Sequence, residues 1–188
     1  LEAVAAEIRA ARGEALAVVA DVTPEHDMAR FVDATVQAFG GLDVMICNAG
    51  YGVYGELDRV SLDQVRALFD VNVIGTIAAA RAALPVFRRQ QRGHLIVMSS
   101  IAGRRGIPFM GPYAASKFAQ VGLAECLRAE TYGSPIAVTI VYPISTETEF
   151  HQVMMRNSGF ATRARGPRQS AETVAEAVAR AIRRPVPE

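Results

Sequence analysis

Short apolar runs alternate with longer stretches in which apolar residues recur every three or four positions, from one end of the chain to the other. Strands and helices taking turns in this way predict a parallel sheet with helices packed on both faces. The strand candidates are residues 15–20 (ALAVVA), 42–47 (LDVMIC), 94–100 (HLIVMSS) and 135–142 (PIAVTIVY). Each is nearly continuous in apolar residues, as strands buried on both faces must be. Helical spacing covers residues 1–12, 23–39, 61–90, 113–132 and 170–184, with Val65, Leu68, Phe69 and Asn72 set to share one face of the third.

Punctuation residues agree with these bounds. Thr23 is placed to cap a helix whose first position is Pro24, and Gly40-Gly41 ends it. Ser61 and Ser170 precede two further helices as N-caps, and Pro85 is expected to bend the first of these. Residues 103–112 read as a Gly/Pro-rich loop, and 156–169 as a polar, aperiodic and mobile one.

Composition narrows the class. The 188 residues suit one domain, spanning 1–188, and 20 basic against 19 acidic side chains leave no field to gather nucleic acid or an anionic membrane. No apolar run approaches the roughly 20 residues of a membrane span, and the opening helix carries acids where a signal peptide has its apolar centre, so a cytoplasmic location is expected. Cys47 and Cys126 lie in apolar segments without CxxC spacing, which favours buried thiols. His26, His94 and His151 are scattered, and no metal site is expected.

The chemistry starts at Tyr113 and Lys117, four apart on a helix and hence on one face. A cation beside a phenol favours the phenolate, so Tyr113 could exchange a proton with a substrate oxygen, although a Tyr and Lys at this spacing also occur as a plain surface pair. Ser100 ends a strand thirteen positions earlier, where a hydroxyl can hold a carbonyl oxygen.

With these residues, read in SSIAGRRGIPFMGPYAASK, the chain resembles the short-chain dehydrogenase/reductase family over nearly its whole length. Asp21-Val22, Asn48-Ala49-Gly50 and Asn72 within Val-Asn-Val match further family motifs in the same order. The resemblance implies a Rossmann-like, doubly wound parallel sheet and an oxidoreductase that moves a hydride between NAD or NADP and an alcohol or ketone. It makes Asn72, Ser100, Tyr113 and Lys117 catalytic, with Ser100 and Tyr113 meeting the substrate. Asp21 and Val22, Asn48 to Gly50, Tyr113, Lys117, Pro143 and Thr148 would line the cofactor. Lys117 would acidify Tyr113, and Asn72 would hold a water that links Lys117 to solvent. Homodimers or homotetramers are implied too, with Ala78, Ala79, Ala82 and Ala83 offering small side chains for close helix approach.

The chain departs from the pattern in places. Ile144 follows Pro143 where the family has glycine, and a β-branched residue resists positive φ. Gly50 to Gly55 spells G-x-G-x-x-G, but the next capped helix waits until Ser61, so this segment is not expected to cradle phosphate. The family's glycine-rich loop and first two strands have no counterpart here, nor does the last strand. Incompleteness at both ends, a bared sheet edge and weak dinucleotide binding by these residues alone are the expectations. A truncated homologue acting as a binding or oligomerisation module is the alternative function. Ile107, Phe109, Met110, Phe150, Met154, Met155 and Phe160 suggest a partly apolar substrate mouth, whereas Arg104, Arg105, Arg163 and Arg165 read as a solvated face.

Overall fold

The computed structural model describes residues 1–158 and 168–188. Its centre is a parallel sheet of β1 (Val44–Cys47), β2 (Gly93–Met98) and β3 (Ile136–Val141), in that order. Cys47 pairs with Val97, and Val97 with Ile140, so the carboxyl ends of the strands form one common edge. This is the parallel α/β architecture that the alternating pattern predicts, and it agrees with the Rossmann-like fold that the resemblance implies.

One face of the sheet presents Met45, Cys47, Leu95, Val97, Ile136, Val138 and Ile140. Their spacing of two is the strand period, and they meet residues from α2 (Glu25–Phe39), α4 (Gly75–Gln90) and α5 (Gly111–Glu130) in one core. Ala78, Ala79 and Ala83 are buried in that core and let α4 lie close to the strands. They therefore cannot form the association surface expected of them. By length and composition, residues 62–90 could cross a membrane, but half of the apolar window is buried inside the protein.

Two boundaries moved for identifiable reasons. Leu42 stays out of β1 because the Gln90 carboxamide takes both its backbone groups, accepting from its N–H at 2.9 Å and donating to its C=O at 2.8 Å. Thr23 does not cap α2. Its N–H and hydroxyl both donate to Asp21 Oδ1, at 2.9 and 3.0 Å, and Pro24 holds the N-cap position. Gly40 ends α2 in the left-handed region at φ 79°, as Gly40-Gly41 suggests. Ser61 makes a capping box with Gln64, and Ser170 caps α7 (Ala171–Arg183).

Residues 15–20 do not form the predicted strand, since no strand among the described residues pairs with them. Val18, Ala20 and Val22 face Met45, Ile46 and Asn48 across a cavity of about 190 Å³. β1 is an edge strand among the described residues, and its Ile46 is 41% exposed. At the other edge Ile140 N–H donates to Pro187 C=O at 3.0 Å, and the Thr139 hydroxyl donates to Val186 C=O. A helix not expected from the sequence, α6 (Phe150–Ser158), includes the start of the predicted loop 156–169, most of which lies outside the described residues. The chain opens with α1 (Glu2–Ala10).

Gly93 starts β2 directly against Phe87, which is fully buried, and a β-carbon at 93 would overlap the Phe87 ring. Gly93→Ala is expected to destabilise the intact protein by about 1 to 3 kcal/mol. Urea unfolding would measure it, and the double substitution Gly93→Ala with Phe87→Leu should recover part of the loss.

Candidate active site

The common edge of the sheet collects the chemistry. Asn48 to Gly50 leave β1 there, Ser99 and Ser100 leave β2, and Pro143 leaves β3. Ser100 is extended and caps a short 3-10 turn, Ile101–Gly103, its hydroxyl accepting from Ala102 N–H at 3.2 Å. That bond uses the Ser100 oxygen and not its proton. Ser99 donates to the backbone carbonyl of Lys117 at 3.1 Å, which ties the end of β2 to α5.

Tyr113 stands in the first turn of α5, 6% exposed, within a second apolar cluster of Val53, Leu68, Ala102 and Ala114. Ile107, Met110 and Phe150 pack against this cluster, and the Phe150 ring lies 5.5 Å from the phenol ring, centre to centre. Three of the residues assigned to an apolar mouth thus join the cluster that holds Tyr113. Met154 is instead buried, and a β-carbon on Gly52 would meet Met154 and Phe150 at 2.9 Å, so α6 seats on the Gly50–Gly55 segment. No helix opens from that segment; the next, α3 (Leu62–Phe69), follows Ser61. Phe109 lies against Tyr54, with ring centres 5.6 Å apart, at φ 66°. Phe160, Arg163 and Arg165 lie outside the described residues.

Burial pushes the Tyr113 phenol above its ordinary value, and a hydrogen bond with Ser100 pulls it back in part. The expected acidification by Lys117 is not what the geometry gives. Lys117 Nζ lies 5.7 Å from the ring centre and donates elsewhere, to Met98 C=O at 2.8 Å and Gln120 Oε1 at 2.9 Å. Burial brings the Lys117 ammonium down to about 8, so it is still mostly charged at neutral pH.

Asn72 is fully buried in a π turn, Asp70–Ile74, between α3 and α4. Its carboxamide clasps Tyr51, accepting from the backbone N–H at 3.1 Å and donating to the C=O at 3.0 Å, and also donates to Ser116 Oγ at 3.0 Å. The Asn72 backbone carbonyl accepts from Thr76 Oγ1 at 2.8 Å and from Gln120 Nε2 at 2.7 Å. Asn72 and Lys117 are connected directly through the Gln120 side chain. Gln120 was missed by the sequence reading, although it extends the Tyr113 and Lys117 face by one further turn. Thr76 and Ser116 were missed too.

The cofactor-lining candidates fall into three groups. Val22 packs on Gly75, where a β-carbon would meet Val22 Cγ2 at 2.7 Å, and shares a cavity wall with Asn48 and Ala49. A β-carbon on Gly50 would stand 3.0 Å from Asn72 Oδ1 and 3.7 Å from Lys117 Nζ, so glycine keeps a narrow approach to the ammonium open. Pro143 C=O accepts from Ile101 N–H at 3.0 Å, Ile144 stays out of positive φ, and Thr148 Oγ1 accepts from Phe150 N–H at 3.3 Å at the start of α6. Asp21 is exposed, with one carboxylate oxygen bound in its own turn. Cys47 is buried and its thiol pushed up to about 12, whereas Cys126 is exposed, contrary to the expectation of two buried thiols.

A family model described as short chain dehydrogenase matches residues 1–158. The chain is 36% identical over 138 residues to 3-ketodihydrosphingosine reductase of Bacteroides thetaiotaomicron, across 73% of this chain and 51% of that protein. It is 37% identical over 151 residues to human retinol dehydrogenase 8, across 80% of this chain and 47% of that one. It thus spans about half the length of these relatives. Among solved structures, a short-chain dehydrogenase/reductase from Burkholderia phymatum in complex with NAD superposes with a TM-score of 0.79 at 28% identity, covering 98% of this chain and 66% of that one.

Replacing Asn72 by alanine would strand both backbone groups of Tyr51 and leave Ser116 without a donor. Asn72→Ala is expected to cost about 2 to 4 kcal/mol in a chemical denaturation experiment. A loss under about 0.5 kcal/mol would mean that water or rearrangement replaces the clasp easily.

Proposed function

Because the chain belongs to the short-chain dehydrogenase family, we propose that it forms the catalytic part of an oxidoreductase that interconverts an alcohol and a ketone with NAD or NADP. The observation that carries this reading is the convergence of Ser100, Tyr113 and Lys117 at the carboxyl ends of the strands. When bound, the nicotinamide would give or accept the hydride. Ketone reduction also consumes one proton, and the Tyr113 phenol, kept protonated by burial, supplies it to the substrate oxygen. Ser100 donates its O–H to the same oxygen and holds the carbonyl against Tyr113. In oxidation the alcohol proton passes to the Tyr113 phenolate, the form that donation leaves behind. Lys117 places a positive charge beside the pair, and the narrow approach left by Gly50 admits the ribose to it. Asp21 and Val22, Asn48 to Gly50, Pro143 and Thr148 complete the cofactor wall.

A partly apolar alcohol or ketone is the substrate class that fits. Ile107, Met110 and Phe150 pack against the apolar cluster that holds Tyr113, and the relatives' names refer to a ketosphingoid and to retinol. Association into a closed homo-oligomer belongs to the same reading, through surfaces other than the buried Ala78, Ala79 and Ala83 of α4.

Tyr113→Phe in the intact protein is expected to lower single-turnover hydride transfer about 100-fold or more while NAD(P)H binding is unchanged. A variant that kept a tenth of the rate would remove Tyr113 from the proton step. The pH profile supplies a second measure. A lysine whose pKa is lowered loses its charge on the alkaline side, so kcat/KM for ketone reduction should be level near neutrality and fall as pH rises through about 8. A profile that stays level through that region would take the charged lysine out of the step.

A further inference from the structure

The Gln120 carboxamide is fully buried and its polar atoms are all engaged by different elements. Nε2 donates to Asn72 C=O in the π turn at 2.7 Å and to Thr76 Oγ1 in α4 at 2.8 Å, while Oε1 accepts from Lys117 Nζ at 2.9 Å. This arrangement fixes which way the amide points. Turned over, it would set its oxygen against a carbonyl and its NH2 against an ammonium, leaving both ends without a bond. The Thr76 hydroxyl spends its own proton on the Asn72 carbonyl at 2.8 Å, so it can only accept from Gln120. The chain of donors has one direction, from Lys117 to Gln120 to the π turn.

From this geometry we infer that Gln120 is a positioning residue for Lys117: it anchors Nζ to the π turn and to α4, and so sets where the ammonium stands relative to Tyr113 and Gly50. The inference rests on the functional reading above only for what Lys117 does, not for how it is held. An ammonium has three N–H groups. Two are committed, to Met98 C=O and Gln120 Oε1, and the third is left for a group entering beside Gly50. Tyr113, on the same helix, is the titratable side chain near Nζ, and among the described residues no carboxylate contributes to the charge balance there. A carboxamide neither gains nor loses a proton near neutral pH, so this link holds Nζ in place without relaying protons toward Asn72.

Lys117 is the sole lysine of these 188 residues, and in the intact protein its amine resonance is assigned by its loss in Lys117→Arg. In the intact protein labelled with lysine bearing 15N at Nζ, the Lys117 resonance would be titrated in the parent and in Gln120→Met and Gln120→Glu. Methionine removes the acceptor and should move the midpoint down, and glutamate adds an opposite charge and should move it up, each by about one pH unit or more. The alkaline fall in kcat/KM should move with it. Midpoints that stay within a few tenths of the parent's, about the scatter of such a titration, would overturn the assignment. If neither variant folds, hydrogen exchange in the parent decides: slow exchange of both Gln120 Nε2 protons supports the anchor, and fast exchange overturns it. A shifted midpoint in a protein with no turnover on any alcohol or ketone would support the anchor while refuting the functional reading.

Discussion

A charged amine out of contact with water has to be surrounded by acceptors, and that requirement organises this protein. Lys117 is 5% exposed, and its neighbours are fixed by it. The carbonyl of Met98 meets it from the last residue of β2, and Gln120 from one turn further along α5, itself tied to Asn72 and Thr76. Strand end, helix and π turn are therefore positioned by a single buried charge. Its position is also what limits it, since the same burial leaves the ammonium charged only up to about pH 8.

Around that centre the packing is ordinary, and its ordinariness is useful. Three parallel strands end level, so the loops after them arrive together without any long excursion. Small side chains on α4 bring the helix near enough for its N-terminal turn to share hydrogen bonds with α5. The apolar cluster around Tyr113 removes water from the phenol, which keeps it protonated at neutral pH. The packing and the protonation state of Tyr113 rest on the same contacts.

Periodicity and punctuation made most of this legible in the sequence. Long apolar runs mark β2 and β3, and Ser61, Ser170 and Gly40 mark helix ends through chemistry that acts within four residues. Ser100, Tyr113 and Lys117 were legible because their spacing is set by one strand end and one helix. What escaped depends on long-range partners. Leu42 looks like strand until Gln90 takes its backbone, and residues 15–20 look like strand although no neighbour among the described residues completes them. Thr23 looks like a cap until Asp21 captures it. Gln120 escaped because a glutamine on a helix is usually a surface residue, and nothing local reveals that Asn72, forty-eight positions earlier, comes to meet it.

The π turn changes what kind of alteration the molecule can absorb. Residues 62–90 are continuous helix, yet Gly75 N–H reaches back five positions to Asp70 C=O, one more than an α-helix allows. The extra residue works as a phase slip of about 100°. Upstream, Leu68 addresses the cluster around Tyr113; downstream, Ala79, Ala83 and Phe87 address the sheet. A regular helix could not face both with the same residues while turning Asn72 inward. Most helices are sensitive to composition and indifferent to the counting of residues elsewhere in the chain. This one carries its own counter, and a single insertion or deletion between Asp70 and Ile74 would rotate one working face away from its partner even if every remaining residue were kept.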